Sequence, residues 1–391
     1  MAKLIDITGK ALSGEWGTDD ETGDGIPVLR TTNFTNEGVV NYNDVVTRTI
    51  TKKNIEEKYL RKGDIIIEKS GGSDKFPVGR VIYFDGEDNT YLFNNFTGLL
   101  RVKDQEAWFP RYVFYSLFAN YKRGGTRAFE NKTTGLHNLK TDDYVARYEV
   151  AETDLAEQIL ICEKLDKLYG VIKSREKELQ LLDDLIKARF VELFGDPMVN
   201  PRGYDIKSYG DLFELNAGGT PSKSKPEYWE DGTISWIGSN LCQNVILYEN
   251  DGKYISQEGY DHSSARLFPV DTVLIALVGA TIGKTALLKF ETSTNQNVLG
   301  VRHIAESGYN PMFVYYYTQF LYQKFMNIGD GGFNMASKGF VSELPMYDVE
   351  LSVQNEFAAF AEQVDKSKVA VQKALNEAQL LFDSLMQIYF G

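Results

Sequence analysis

The chain is poor in the residues that bind metals or form disulfides. Only 2 of its 391 residues are cysteine and only 3 are histidine. Cys162 and Cys242 lie in different halves of the sequence without a CxxC spacing, and His137, His262 and His303 are scattered without metal-ligand spacing. These absences argue against a disulfide scaffold, a zinc ribbon and a metal centre, and they indicate a reducing compartment, the cytoplasm.

The chain also lacks a long apolar stretch. Its longest apolar run, at residues 273–278, is far shorter than the roughly 20 residues that a membrane-spanning helix needs. The N-terminal segment MAKLIDITGKAL has no apolar core of the kind found in export signals. We therefore expect a soluble protein with no membrane partner.

Positive charge is in deficit. The chain has 42 Lys and Arg residues against 55 Asp and Glu residues, so its formal net charge is −13. This balance argues against a nonspecific nucleic-acid binder, because such proteins usually present a strongly basic face. Any binding of DNA would rest on local loops and a basic partner. One segment, residues 111–140, has a single acid, Glu130, and these basic residues: Arg111, Lys122, Arg123, Arg127, Lys132 and Lys140.

Motifs for catalysis are absent as well. The VGATIGKT segment at 278–285 has three residues between its glycines, where a phosphate-binding P-loop needs four. In the DIIIEK segment at 64–69, Glu68 and Lys69 are adjacent, so on a strand they point to opposite faces and do not form a nuclease site. No GxSxG motif, Cys-His arrangement, dinucleotide-binding glycine motif or NPPY-like tetrapeptide occurs. We predict no catalytic residue and no cofactor.

The sequence does contain a weak internal repeat, with a period of about 200 residues. Each copy begins with about 150 residues of short strands broken by Gly, Asn and Asp, with one amphipathic helix near residues 112–121 or 312–322. The aligned stretches include IPVLRTTNF at 26–34 with ISWIGSNL at 234–241, LRKGDIIIEKSGG at 60–72 with FPVDTVLIALVGA at 268–280, and FPRYVFYSLF at 109–118 with NPMFVYYYTQF at 310–320. The pattern predicts two copies of one mixed α+β module.

Each copy ends in a pattern typical of a long amphipathic helix. Apolar residues recur at alternating steps of three and four over residues 161–193 and 357–388, and Arg175 and Arg189 interrupt the first seam. If the helices run antiparallel, Ile172 meets Ala378 and the seams form a coiled coil; the alternative is two separate helices, each packed on its own domain. The predicted seam consists of Leu165, Leu168, Ile172, Leu179, Leu182 and Ile186 with Phe360, Val364, Val371, Leu381 and Leu385.

The helix ends set the domain boundaries. Asp154 with Glu157 resembles a capping box at the start of the first helix, and Gly195 followed by Pro197 marks its end. Ser352 is a candidate cap for the second helix. We therefore predict globular modules at residues 1–150 and 199–350, a central helix at 151–198 and a C-terminal helix at 351–391.

Over its full length this arrangement resembles the specificity subunit of type I restriction-modification systems. GGTPSKSKPEYWEDGTISWIGSNL at 218–241 resembles the opening of that family's target-recognition domain, VGATIGKTALL at 278–288 its glycine-lysine loop, and NQNVLGVRHI at 295–304 the strand that follows. LAEQ at 155–158 and LLDDLIKARFVELFG at 181–195 resemble its first spacer helix. The first module departs from the pattern, since it has KSGGSDKFPVGR at 69–80 and lacks the GGTPS opening.

The resemblance implies a fold, a function and partners. It implies two target-recognition domains held apart by an antiparallel two-helix coiled coil with pseudo-two-fold symmetry, each domain reading one half-site of double-stranded DNA across a gap set by the helices. It further implies a non-catalytic subunit that bridges two methyltransferase (modification) subunits, joined by motor-nuclease (restriction) subunits. Because Arg127 and Asn131 have no clear counterparts in the second copy, we expect two different half-sites.

Polar loop residues are the candidates for contacting DNA. Arginine suits guanine, asparagine suits adenine, and lysine suits phosphate. The candidates in the first module are Arg30, Asn33, Lys69, Lys75, Lys122, Arg123, Arg127, Asn131 and Lys132. Those in the second module are Lys223, Lys225, Tyr228, Trp229, Ser239, Lys284, Asn334, Ser337 and Lys338. For any single residue among them, a surface loop without a ligand is the alternative.

Two other classes of function stay open at this point. The net charge of −13 mildly favours a coiled-coil interaction scaffold without a nucleic-acid role, and the missing motifs disfavour an NTPase or a fused nuclease. Copurification with a methyltransferase would support DNA specificity, whereas ATP turnover by the isolated chain would support an enzyme.

Overall fold

The computed structural model describes residues 1–133, 136–328 and 335–391, and of residues 132, 133 and 136 only the backbone. The chain divides into two compact units. Unit 1 consists of Met1–Glu176 with Lys373–Gly391, and unit 2 is Lys177–Gln372. In each unit a globular module packs against parts of two long helices, so the helices contribute to both hydrophobic cores.

Unit 1 is made of short strands and short helices that precede the first long helix. Its helices are α1 (Leu4–Thr8), α2 (Pro110–Lys122) and α3 (Thr141–Arg147), and the long helix α4 (Leu155–Phe194) begins in it. Its strands are β1 (Ala2–Lys3), β2 (Leu12–Ser13), β3 (Thr18–Asp19), β4 (Ile26–Leu29), β5 (Val46–Thr49), β6 (Ile65–Glu68), β7 (Val81–Tyr83), β8 (Leu92–Phe93), β9 (Thr97–Leu100), β10 (Glu130–Thr133), β11 (Leu136–Leu139) and β12 (Glu149–Val150).

Two four-stranded sheets form the body of unit 1. The antiparallel sheet has the order β2-β9-β6-β7, and the mixed sheet has the order β3-β5-β4-β8, in which β4 and β8 run parallel. The β-branched run Ile65, Ile66 and Ile67 is fully buried in the antiparallel sheet, with side chains alternating between two hydrophobic clusters. Two-stranded ladders join β1 to β12 and β10 to β11.

Unit 2 has the same kind of architecture. Its helices are α5 (Tyr209–Leu212), α6 (Gln257–Asp261), α7 (Pro311–Phe320), α8 (Tyr322–Met326), α9 (Lys338–Ser342) and the long helix α10 (Leu351–Phe390), which ends in unit 1. Its strands are β13 (Ile206–Ser208), β14 (Glu214–Ala217), β15 (Ile234–Ile237), β16 (Val245–Leu247), β17 (Tyr254–Ile255), β18 (Leu267–Phe268), β19 (Val273–Ala276), β20 (Thr285–Leu288), β21 (Thr292–Thr294), β22 (Val298–Arg302) and β23 (Pro345–Tyr347). Their sheets have the orders β14-β22-β19-β20-β16, β17-β15-β21-β18 and β13-β23.

The internal repeat of the sequence corresponds to a repeat of topology. Ile65 pairs with Leu100 in unit 1, and Val273, which the repeat aligns with Ile65, pairs with Val301 in unit 2. The parallel pair of β4 and β8 likewise has its counterpart in β15 and β21. The prediction of two copies of one mixed α+β module is therefore confirmed.

The two long helices run antiparallel. In unit 1 the ammonium of Lys164 lies 3.4 Å from the hydroxyl of Tyr389, and Ile172 and Ala378 share one core. In unit 2 Asp183 pairs with Lys368 at 2.6 Å and Arg189 pairs with Glu356 at 2.7 Å. Since rising residue numbers on α4 meet falling numbers on α10 within each unit, the predicted antiparallel pairing is confirmed and the alternative of two separate helices is wrong.

The buried face of α10 differs from the predicted seam near its end. Leu381, which the three-four pattern placed in the seam, is 50% exposed, whereas its neighbour Phe382 is buried. The reason is that the buried positions beyond Ala378 follow steps of four and pack against the module of unit 1. The predicted seam residues that lie buried are Leu165, Ile172, Ile186, Val364 and Val371, and those that lie half-buried are Leu168, Leu179, Leu182, Phe360 and Leu385.

The helix ends follow the sequence signals in two of three cases. The carboxylate of Asp154 accepts the amide of Glu157 at 2.8 Å, and α4 stops before Gly195, whose φ of +75° favours glycine. Ser352, by contrast, lies inside the first turn of α10, because the helix already begins at Leu351. In the part of the chain that the structure describes, no helix is long and apolar enough to cross a membrane.

One buried glutamine near the start of each long helix ties that helix to its module. Gln158 of α4 accepts the amide of Phe109 at 2.9 Å, directly before α2, and donates to the carbonyls of Ala107 and Thr153. Gln354 of α10 accepts the amide of Asn310 at 2.9 Å, directly before α7. Both glutamines are 0% exposed, so these hydrogen bonds satisfy polar groups that water does not reach.

We expect Gln354→Ala to destabilise the chain by about 1–3 kcal/mol, because it leaves the amide of Asn310 and the carbonyl of Val349 without their partner. Thermal and denaturant unfolding of the full chain measures the change. Gln363→Ala, at an exposed position of the same helix, is the control and should have almost no effect. Equal effects of the two variants would contradict the assignment.

Candidate nucleic-acid interface

A cleft on unit 1 brings together four of the cations that the sequence singled out. Lys75 from the β6–β7 connection, Lys122 from the end of α2, and Arg123 and Arg127 from the segment that follows line one cavity of about 400 Å³. The other residues that line it are Asn36, Phe76, Pro77, Tyr121 and Gly124. None of the residues in this set is acidic, so the cleft presents positive charge on a chain that is acidic as a whole.

Backbone contacts hold this cationic cleft in shape. After α2, Gly124 adopts a φ of +76° and starts a 3-10 turn over Gly125–Phe129. From this turn the guanidinium of Arg127 donates to the carbonyls of Asp74 and Lys75, at 3.3 Å each. The side chain of Arg127 therefore links the turn to the β6–β7 connection, about 50 residues away in sequence.

The hairpin of β10 and β11 is tied to the same connection. Glu130 accepts the amide of Val78 at 3.0 Å through one carboxylate oxygen, and Nδ1 of His137 lies 3.2 Å from the other. Asn131 is exposed on β10. The side chain of Lys132 lies outside the described residues. The hairpin thus places Asn131 on a segment anchored to the loop that carries Lys75.

Three of the predicted contacts in unit 1 are engaged inside the module. Asn33 is only 1% exposed, and its amide donates to the carbonyls of Asn41 and Asp44, which makes it a structural residue rather than a surface group. Arg30 pairs with Asp44 at 2.9 Å. Arg123 donates to the carbonyl of Phe390 at the end of α10, where the helix dipole also favours a cation.

Lys69 lies in a different concavity of unit 1. Its ammonium donates to the hydroxyl of Ser13 at 2.9 Å, and Asn95, Asn138 and Asp142 also line this concavity. Burial lowers the pKa of Lys69, and the negative charge of Asp142 opposes that shift. Lys69 is therefore separated from the cluster that contains Lys75 although only six positions divide them in sequence.

The opening loop of unit 2 is held by its aromatic residues. Tyr228 is 5% exposed and accepts a hydrogen bond from the ammonium of Lys225 at 2.8 Å. The indole of Trp229 donates to the carbonyl of Ser222 and packs edge-on against Trp236, with ring centroids 5.2 Å apart. Tyr228 and Trp229 thus shape the loop, and Lys223 and Lys225 are its exposed cations.

The other candidates of unit 2 lie at separate places. The ammonium of Lys284 donates to Gln243 at 2.8 Å, and half-buried Ser239 begins a 3-10 turn. Ser337 caps α9 by accepting the amide of Phe340. Lys338 is exposed and shares a concavity with Arg266, which sequence reasoning missed because no motif surrounds it. Asn334 lies outside the described residues.

Unit 1 lacks the GGTPS segment that opens the module of unit 2, but one glycine of unit 1 occupies a position equivalent to a glycine of that segment. Glu15 donates its amide to the carbonyl of Phe93 at 2.8 Å, as Gly219 donates to that of Thr294 at 2.8 Å. Gly14 and Gly218, which precede these donors, both lie so close to the neighbouring strand that a Cβ would collide with its backbone. The two modules therefore enter their mixed sheets in the same way despite different sequences.

Comparison with known proteins gives one family match and several relatives. A family model described as the type I restriction modification DNA specificity domain matches residues 2–183 and again residues 201–379. The chain is 29% identical over 155 residues to the EcoR124I/EcoR124II specificity subunit of Escherichia coli, which is 38% of this chain and 37% of that protein. It is 32% identical over 118 residues to the MjaIX specificity subunit of Methanocaldococcus jannaschii, which is 30% of this chain and 26% of that protein. The matched stretches thus span well under half the length of these relatives.

Two solved structures have a similar fold. The crystal structure of the type I restriction-modification S subunit from M. genitalium matches with a TM-score of 0.61 at 16% identity, over 100% of this chain and 95% of that chain. A second structure, from work on complex assembly and conformational transition of the type I R-M system, matches with a TM-score of 0.54 at 16% identity, over 100% and 96% of the two chains. The fold of the whole chain is therefore one that has been observed by experiment.

We expect Gly79→Ala to disturb the cationic cleft. Gly79 has a φ of +101°, and a Cβ there would lie 2.8 Å from Cγ2 of the buried Thr126 in the 3-10 turn. The change should cost about 1–2 kcal/mol for the left-handed backbone and a further ~1–3 kcal/mol for the overlap. Denaturant unfolding measures the loss.

Gly23→Ala is the matched control for this prediction. Gly23 also has a positive φ, +81°, but a Cβ there would meet no atom within 4 Å. It should therefore show the backbone cost alone. If both substitutions destabilise the chain equally, the close approach of Gly79 to Thr126 does not shape the cleft.

Proposed function

The chain belongs to the type I restriction modification DNA specificity family, and we propose from this premise that it selects the DNA target of such a system. The observation that carries the proposal is the doubling of one module within one chain. Two modules that share their central strand pairings carry different loops, which suits a bipartite target in double-stranded DNA with two unequal half-sites. Residues 1–150 and 199–350 would each read one half-site, and residues 151–198 and 351–391 would form the spacer helices.

The charges of unit 1 fit contact with a duplex. Lys75, Lys122 and Arg127 present their cations in the cationic cleft. There the lysines would neutralise phosphates and the arginine would reach a guanine edge. The chain as a whole is acidic, which opposes indiscriminate binding along DNA and leaves attraction to this local surface. A short, shaped positive surface of this kind supports selective rather than general DNA binding.

The loops that differ between the modules support two different half-sites. Residues 69–80 connect β6 to β7 in unit 1, whereas the shorter segment 277–284 connects β19 to β20 in unit 2. The first connection carries Lys75 in the cationic cleft, while the second carries Lys284 bonded to Gln243. Because the side chains offered to bases differ, an asymmetric target is expected.

The proposal includes partners that supply the chemistry. We place the chain in the cytoplasm as a non-catalytic subunit that docks two methyltransferase subunits and the motor-nuclease subunits. Exposed apolar residues on the long helices, such as Leu160 at 43%, Leu185 at 47% and Leu380 at 68%, support docking of other subunits there. Such residues would also suit a coiled-coil scaffold, but that alternative gives no account of the cationic cleft.

We expect the purified chain alone neither to cleave nor to methylate DNA, and specific methylation to follow when a modification subunit is added. Methylation-aware sequencing of DNA treated with each mixture tests this expectation. Glu68 is the acid to examine, since it is 4% exposed and burial raises its pKa although Arg80 lies 3.4 Å away. Metal-dependent cleavage by the isolated chain that Glu68→Gln abolishes would refute the non-catalytic role.

We expect the triple variant Lys75→Ala, Lys122→Ala, Arg127→Ala to weaken reading of one half-site and to leave the other unchanged. Each lost base contact should cost about 1–3 kcal/mol, and each lost phosphate contact should reduce the slope of log affinity against log salt by about 1. Binding of target duplexes by the assembled complex at several salt concentrations, together with methylation mapping, measures both effects.

A second triple variant, Lys10→Ala, Lys62→Ala, Lys103→Ala, is the matched control. These lysines are exposed in unit 1 and line a different cavity, and their removal changes the net charge by the same amount. If the control variant relaxes the same half-site as much as the first variant does, recognition does not depend on the cationic cleft.

A further inference from the structure

Phe76 is an exposed apolar side chain on a firmly held turn. Its ring is 53% exposed, yet its backbone is fixed, since the amide of Ser73 donates to the carbonyl of Phe76 at 2.6 Å and the amide of Phe76 donates to the Ser73 hydroxyl at 3.1 Å. Arg127 holds the two carbonyls between these residues, and Val78 beyond the turn is 0% exposed. The structure therefore sets the position of a ring that packs only partly against its own module.

The surroundings of Phe76 are cationic. The ring lines the cleft together with Lys75, Lys122, Arg123 and Arg127. The ammonium of Lys75 lies over the ring, 5.3 Å from its centroid, and so covers one face. The opposite face of the ring remains free. The cations around it would contact phosphates and polar base edges.

We propose that Phe76 contacts the 5-methyl group of a thymine in the half-site that unit 1 reads. The inference rests on the proposed function and specifies one base of the DNA target. The thymine methyl is the apolar group that base pairs present in the major groove, where it distinguishes a T·A pair from the other pairs. An apolar ring fixed among cations matches that pattern of one methyl beside polar edges and phosphates.

The geometry favours this contact over insertion of the ring between base pairs. A wedge needs both faces of the ring free to replace two stacked neighbours. Because Lys75 covers one face of Phe76, insertion would first have to remove that lysine, whereas an edge contact with a methyl group keeps it in place. A one-sided contact also agrees with a ring that is about half exposed.

Unit 2 has no equivalent of this side chain in the corresponding connection. Its segment 277–284, LVGATIGK, contains no aromatic residue; Leu277 and Ile282 are buried and Val278 is half-buried, so no large apolar side chain there is as exposed as Phe76. The contact therefore belongs to one half-site, and the other half-site serves as an internal control.

The test uses the complex assembled with a modification subunit and its target sequence, found by methylation mapping. In duplexes of this target each thymine is replaced in turn by deoxyuridine, which removes only the methyl group. We expect one replacement in the half-site of unit 1 to weaken binding about fourfold, the value of burying one methyl-sized group (~0.8 kcal/mol). Phe76→Ala should weaken binding of the unmodified target to a similar degree and should no longer respond to that replacement.

Three controls separate the contact from general effects. Deoxyuridine in the other half-site should act equally on the wild-type and Phe76→Ala complexes. Phe76→Leu, which keeps an apolar side chain, should retain part of the response to the methyl group. Phe96→Ala removes an equally exposed ring of unit 1 that lies beside Lys69, and it should leave the response unchanged.

Each remaining outcome counts against the inference in a defined way. A half-site of unit 1 without a T·A pair overturns it, and so does an undiminished response to deoxyuridine in a Phe76→Ala complex that still methylates its target. If Phe96→Ala abolishes the response to deoxyuridine and Phe76→Ala does not, the ring in contact is Phe96, and the inference is overturned as well. Absence of any sequence-specific methylation by the wild-type complex would instead refute the proposed function itself.

Discussion

Each unit depends on one contact between a long helix and its globular module. In this contact a glutamine side chain of the helix is buried in the module and hydrogen-bonded to its backbone. Gln158 and Gln354 are fully enclosed, and each holds the backbone directly before the module's main helix. An enclosed amide that lost these partners would carry an uncompensated desolvation penalty, so the long helix has one acceptable position against its module. The helices are consequently part of each module's core and not merely connections that follow it.

A tyrosine and an aspartate strengthen the same attachment in both units. The hydroxyl of Tyr115 donates to Asp166 on α4 at 2.5 Å, and that of Tyr316 donates to Asp365 on α10 at 3.1 Å. Burial raises the pKa of Asp365, and the nearby ammonium of Lys368 opposes the shift. Each attachment combines apolar packing with directed hydrogen bonds. It therefore fixes the orientation of the module that carries the surface loops, and selective contact with the edges of DNA bases requires such fixed positions.

Much of the fold follows from patterns that are local in the sequence. The apolar patterns of the two amphipathic helices and the glycine after α4 each act over a few residues. The helices near residues 112–121 and 312–322 and the end of α4 at Gly195 were therefore predictable to within a few residues. The seam of α10 was predictable as far as Ala378 but not beyond it. There, the module of unit 1 determines which side of the helix is buried, and Phe382 replaces Leu381 in the core.

The sequence by itself determined that one module occurs twice, that each copy ends in a long helix, and that the cations which could meet DNA are concentrated in a few loops. Only the tertiary structure decided which of those polar groups are exposed and which are engaged inside a module. Arg111 turns inward to Asp166, Asn33 is enclosed by two carbonyls, and Phe76, an apolar residue, is exposed among the cations. The physical reason is that periodicity and capping act between near neighbours, whereas burial and ion pairing depend on partners many residues away, brought together only when the sheets and helices pack.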